Sequence, residues 1–168
     1  MKKFITDFTE VPCSNGKLYV SAIIDCFSGD IVELETRGNM RKEFGTATLE
    51  QLKSLCNVNL SGSIVHSDRG SQNTSEAFRE KLQKMGLRQS LSGSERCFDN
   101  VRMDSFFATL KKEIIYRLAA HRRTREEVKS IVFRYVFVYY NRLKIYTGNS
   151  RGLPPARYRQ WATEKQTV

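Results

Sequence analysis

At 168 residues, with 40% hydrophobic and 27% charged side chains, the chain is one domain in size and can bury a core, which excludes a disordered tail. Its 28 Lys and Arg against 18 Asp and Glu leave a formal charge of +10, which points to a polyanion and first to nucleic acid. No apolar run approaches the roughly 18 residues of a membrane span, and the start, Met1-Lys2-Lys3-Phe4, lacks the apolar stretch of a secretory signal, so no membrane association and a cytoplasmic location are expected.

Strand signals fill the first third. Phe4 to Val11 is rich in β-branched and aromatic residues, and Ser14-Asn15-Gly16 reads as a hairpin turn. Leu18 to Cys26 is a largely apolar run, as in a strand covered on both faces. Phe27 to Asp30 is a second turn, with Asp25 at the end of the apolar strand just before it and not read as a site residue, and Ile31 to Thr36 is a third strand. The period then becomes helical between about Arg41 and Cys56. Ser63 to Ser67 is a short strand ending at Asp68, Ser71 to Gly86 a helix, Leu87 to Ser90 a fifth strand, and Leu91 to Arg96 a Ser/Gly loop expected to be mobile. A long helix is expected from about Asp99, its cap, with Phe106, Phe107, Leu110 and Ile114 as apolar positions. Another runs from Thr124 to Asn141, with Thr124 and Glu127 at capping-box spacing. The tail, with Gly148, Gly152, Pro154 and Pro155, reads as a loop before a last short helical turn. The aromatic stripe of Phe133, Tyr135, Phe137, Tyr139 and Tyr140 reads as helix core rather than a base-stacking surface.

Cys13, Cys26, Cys56 and Cys97 form no CxxC pair, and the histidines are His66 and His121 alone, so reduced thiols are expected rather than zinc or disulfides. From Lys111 to Arg159 there are thirteen basic residues against three acidic ones, a surplus equal to that of the whole chain. The C-terminal helices are thus the polyanion-facing candidates, Arg122, Arg123 and Arg125 among them.

The meander followed by alternating helices and strands predicts a mixed five-stranded sheet flanked by helices. Three carboxylates sit at telling places: Asp7 within the first strand, Asp68 at the end of the fourth, and Asp104 in the first turns of the long helix. Aspartate inside a strand is unfavourable and costly if buried alone, and a divalent metal would account for it. Hard cations such as Mg2+ take carboxylate oxygens, and two of them about 4 Å apart activate phosphorus chemistry. No Walker A loop is present.

Thr6-Asp7-Phe8-Thr9, His66-Ser67-Asp68-Arg69-Gly70-Ser71-Gln72, and Phe98-Asp99-Asn100 through Glu113 resemble, in order, the three acidic motifs of bacterial insertion-sequence transposases similar to retroviral integrases. Thirty-five residues separate Asp68 from Asp104, the spacing of the D,D-35-E class. Tyr140-Asn141-Arg142 and Leu153-Pro154-Pro155 resemble the family's C-terminal signature. The resemblance implies a ribonuclease-H-like α/β fold with extra C-terminal helices, in which the first and fourth strands are neighbours and the long helix brings the third carboxylate beside them. It also implies a DNA strand-transfer enzyme using two Mg2+ or Mn2+ ions, without a covalent enzyme–DNA intermediate. Its partners would be DNA, as transposon ends and target, and further copies of itself on that DNA. Residues 1–120 would form the catalytic core and residues 121–168 a basic helical extension packed on it.

The resemblance has departures. The third acid is Asp104 where the family has glutamate, which sets the carboxylate back by one carbon–carbon bond, about 1.5 Å. Asn73 stands where tyrosine is common, and Lys144-Ile145-Tyr146 replaces an Arg-Pro-His stretch. Met1 falls just before the first motif, as in an excised catalytic domain or a truncated reading frame. Asp7, Asp68 and Asp104 are the expected metal ligands, and without metal their repulsion is expected to raise a pKa or turn a side chain away. Lys111, seven residues after Asp104, and Asn100, one turn before it, are candidate DNA contacts, with a solvated lysine and a helix cap as the alternatives. Glu113 is read as a surface ion-pair partner, and His66 as orienting the site or as a hydrogen-bonded structural residue. The rival functions are a catalytically silent DNA-binding remnant and a nuclease acting on other nucleic acid.

Overall fold

The computed structural model describes residues 3–40, 43–55, 60–68, 70, 73–91 and 100–166. Strands β1 (Lys3–Cys13), β2 (Gly16–Asp25) and β3 (Ile31–Arg37) form an antiparallel meander. The first turn is two residues long and closes on Gly16, whose φ of 119° suits glycine. Before the second, Asp25 ends β2 and accepts bonds from Phe27 N and from Ser28 Oγ, which ties its carboxylate to the turn that follows. Helix α1 (Glu43–Leu55) carries the chain to β4 (Ile64–Ser67), which runs parallel to β1. Helix α2 (Glu76–Lys84) then leads to β5 (Arg88–Leu91), parallel to β4. Both parallel pairings need such a crossover. The strand order is β3-β2-β1-β4-β5, so β1 and β4 are neighbours, as the ribonuclease-H-like expectation requires.

Alternation along β1 divides the core between the two faces of the sheet. Phe4 points into one cluster with Ile23, Leu49, Leu52, Val65, Phe78 and Leu82, under α1 and α2. Ile5 points into the other with Val20, Ala22 and Ile24. That second face is covered by α3 (Val101–Leu110), through Met103, Phe106, Phe107 and Leu110, and by α4 (Arg125–Arg134), through Val128 and Val132. Both helices run on into π-helical segments, Lys111–Ile115 and Tyr135–Tyr140. Within the aromatic stripe, Tyr135 and Tyr140 are buried and Tyr139 is exposed.

The capping box of Thr124 and Glu127 is formed. The tip of the first hairpin clamps this end of α4: Ser14 N donates to the Arg123 carbonyl at 2.8 Å, and Asn15 Oδ1 accepts from Arg125 N at 2.9 Å. Two boundaries differ from expectation. Helix α2 starts at Glu76, capped by Ser75, because residues 73–75 belong to a turn wrapped around Asp68. The tail forms a three-turn helix, α5 (Pro155–Gln166), rather than a short turn. Proline opens it, and Arg159 reaches buried Asp30 at 2.9 Å while Tyr158 stacks on Phe27. The expected cap Asp99, the loop residues 92–96, Cys56 and Cys97 lie outside the described residues; Cys13 and Cys26 are free thiols.

Candidate active site

Asp7 lies on the same face of β1 as Ile5, towards α3, while Phe8 turns to the other face and meets Phe44 of α1. The Asp7 carboxylate is half-buried and held twice: Oδ1 accepts from Phe8 N at 2.7 Å, and Oδ2 from Asn100 Nδ2 at 2.9 Å. Burial raises its pKa, the two hydrogen bonds oppose this, and the charges of Asp68 and Asp104 add to the rise.

Asp68 follows the last residue of β4. Since Ser67 pairs with Thr6, Asp68 and Asp7 sit one residue further along neighbouring parallel strands. Its Oδ1 accepts from Gly70 N at 3.0 Å and from Asn73 Nδ2 at 2.7 Å. A Cβ on Gly70 would lie 3.0 Å from that oxygen, tighter than is comfortable, so glycine suits the turn. His66, buried, has its Nδ1 3.1 Å from Ser90 Oγ on β5.

Asp104 is exposed in the first turn of α3. With Asp7, Phe8, Thr9, Phe107, Ala108, Lys111 and Tyr116 it lines a cleft of about 480 Å³. Two of the expected carboxylates and Lys111 are therefore brought to one cavity, with Asp68 on the adjoining strand end. Among the described residues, no three His, Cys, Asp or Glu side chains stand close enough to surround one ion. The donor set still suits a hard divalent cation. The carboxylates are oxygen donors, the Asp7 pKa is raised by burial and by like charge, and the buried Oδ1 of Asn100 has no hydrogen-bond partner among the described residues. A larger groove, about 770 Å³, between residues 113–117 and 130–139 holds one carboxylate, Glu113. That residue is bound to Lys144 and to Tyr135 Oη, the ion-pair role read from the sequence.

The remaining candidates spread out. Asn100 does not cap α3 with its side chain; it serves Asp7 instead. Arg122 is exposed, Arg123 donates its Nε to the Leu118 carbonyl, and Arg125 packs against Gly38. These three adjoin the tip of the first hairpin, six residues of β1 beyond Asp7, or roughly 20 Å. Sequence reasoning missed Tyr116 in the cleft and Asn73 as a partner of Asp68.

Two integrase core domain profiles match the chain, one over residues 2–97 and the other over residues 104–162.

The chain belongs to the integrase core domain family.

It is 34% identical to the transposase for insertion sequence element IS904 of Lactococcus lactis subsp. lactis (strain IL1403) over 88% of this chain and 57% of that protein. Relatives of this kind are transposases by name, and the chain spans a little over half of that protein's length. Its fold is that of the catalytic core domain of BIV integrase, with a TM-score of 0.68 at 14% identity over 99% of this chain and 98% of that one. The HTLV-2 integrase catalytic core domain in complex with magnesium, in its trimeric form, gives a TM-score of 0.63 at 14% identity over 92% of this chain and 93% of that one. The ribonuclease-H-like reading of the sheet stands with these structural neighbours.

Proposed function

We propose that this chain is the catalytic portion of a DNA transposase that carries out metal-dependent strand cleavage and strand transfer. The observation that carries the reading is the cleft in which Asp7 of β1 and Asp104 of α3 face one cavity, beside Asp68 at the end of the adjoining strand. Asp7, Asp68 and Asp104 would hold two Mg2+ or Mn2+ ions, in line with the magnesium named for the HTLV-2 relative. When bound, these would stabilise charge on the attacking and leaving oxygens at phosphorus.

The chain's own groups do the rest. Lys111, on the cleft wall, neutralises a DNA phosphate next to the carboxylates, and Asn100 holds Asp7 in place and meets the DNA. Arg122, Arg123 and Arg125 grip the phosphate backbone six β-strand residues, roughly 20 Å, away from the chemistry, which suits positioning rather than reaction. Residues 1–120 carry the carboxylates and residues 121–168 add the basic helical cover. Copies of the chain would assemble on transposon ends and target DNA.

The test is a strand-transfer assay with pre-cut oligonucleotide ends and Mn2+. Product is expected from the chain as given and none from Asp7→Asn or Asp68→Asn. Product at unchanged rate from both variants would end this reading.

A further inference from the structure

Asn73 has no accessible surface, yet only half of its amide is used. Its Nδ2 donates to Asp68 Oδ1 at 2.7 Å, while its buried Oδ1 has no partner among the described residues. The orientation of the amide follows from chemistry: a carboxylate oxygen only accepts, so the NH2 group must face Asp68. Leaving a buried amide oxygen unsatisfied is costly, so this arrangement is not one that packing alone favours.

The backbone under Asn73 is anchored as well. Its carbonyl accepts from Gln89 Nε2 of β5 at 2.6 Å, and its N–H donates to the Gly70 carbonyl at 3.0 Å. A chain of contacts thus runs from β5 through Gln89 and Asn73 to Asp68. With Gly70 N and Asn73 Nδ2 both on Oδ1, that oxygen of the Asp68 carboxylate is anchored from two sides. Its other oxygen takes part in neither bond.

We propose that Asn73, seated on Gln89, is a positioning residue that aims the Asp68 carboxylate for metal binding. The proposal rests on the reading of Asp68 as a metal ligand. It acts through Asp68 and touches neither the metal nor the DNA. Partners behind a metal ligand typically govern affinity by about 10- to 100-fold.

The experiment is Mn2+ binding to the full 168-residue chain, read from the electron paramagnetic resonance signal of free Mn2+ well below the melting temperature. Asn73→Leu, which keeps most of the volume and removes the donor, is expected to weaken binding about tenfold. Gln89→Leu, which loosens the anchor without touching the amide, should weaken it less, in the same direction. Asp68→Ala is the reference and should weaken it most. If Asn73→Leu and Gln89→Leu both bind Mn2+ like the parent while Asp68→Ala does not, Asn73 merely packs: the proposal is overturned and the ligand reading stands. If Asp68→Ala also binds like the parent, both fall together. Should Asn73→Leu fail to fold, Gln89→Leu decides, and unchanged affinity there overturns the proposal.

Discussion

Asn100 donates its side-chain amide to Asp7 Oδ2 at 2.9 Å, tying the residue that opens α3 to the middle of β1 across 93 positions of sequence. The bond favours the charged carboxylate and works against the burial that raises the Asp7 pKa. Asn100→Ala should therefore raise that pKa further and lower stability by about 1 kcal/mol. A carbon-detected NMR titration of Asp7, with a denaturant melt alongside, reads both. An unmoved titration would show that the bond does not persist in solution.

Asp104→Glu should raise strand transfer rather than abolish it. Asp104 is exposed on its helix, so one more methylene has room, and it moves the carboxylate about 1.5 Å towards the cleft centre. Misplacement on that scale is worth up to about a hundredfold in rate. Mg2+ is strict about geometry, so the parent should favour Mn2+ and the glutamate variant should narrow the gap. If Asp104→Glu and Asp104→Ala are equally inactive with both metals, position 104 is not what limits the chain, and the silent DNA-binding remnant becomes the better account.

DNA affinity should fall steeply with salt, as phosphate neutralisation releases counterions. Arg122 is the cleanest probe, because it is exposed while Arg123 and Arg125 also make contacts within the fold, with the Leu118 carbonyl and with Gly38. Arg122→Ala should reduce the slope of log affinity against log salt by about one. An identical slope, measured by fluorescence anisotropy, would make Arg122 a solvated surface charge.

Glu33 on β3 is 2% exposed, and its Oε2 has no hydrogen-bond partner among the described residues. Burial pushes its pKa from 4.5 to about 7, the Leu34 N–H bond opposing and Glu35 adding. The folded chain thus keeps a proton that the unfolded chain releases. The associated stability is complete below about pH 4.5 and is lost as pH rises through about 7. Asp30, pushed to about 6 by burial against the pull of Arg159, has the same sign over a narrower window. Glu33→Gln should gain on the order of 2 kcal/mol at pH 8 and little at pH 4. Equal melting shifts at the two pH values would count against a neutral Glu33 in the fold.

The strands and crossovers were legible because apolar alternation and turn residues report directly on local geometry, as Ser14-Asn15-Gly16 and Phe4-Ile5 illustrate. The site was legible in part. Asp7 and Asp104 meet because β1 and α3 share a face, which the order of elements already implies. Tyr116 was hidden by helical arithmetic. On a regular α-helix it lies twelve residues and about 120° from Asp104, but the π-helical turn at Lys111–Ile115 inserts a residue and takes back about 100°. Asn73 stood out as a departure from the family pattern, yet its partner is set by a turn that no periodicity describes. Arg159 in α5 pairs with Asp30, a tertiary contact invisible to local signals.

Half of the core on the α3 side of the sheet comes from residues after Met103, with Val132, Val136 and Tyr140 packed against strands made from residues 5–34. A ribosome therefore delivers a finished meander whose Val20, Ala22 and Ile24 are fully covered only once both α3 and α4 have emerged. A nascent chain that has released the meander but not yet these helices presents an apolar sheet face, the surface that holdase chaperones and neighbouring polysomes capture. Tyr140 and its neighbours thereby decide when in synthesis this fold stops being sticky.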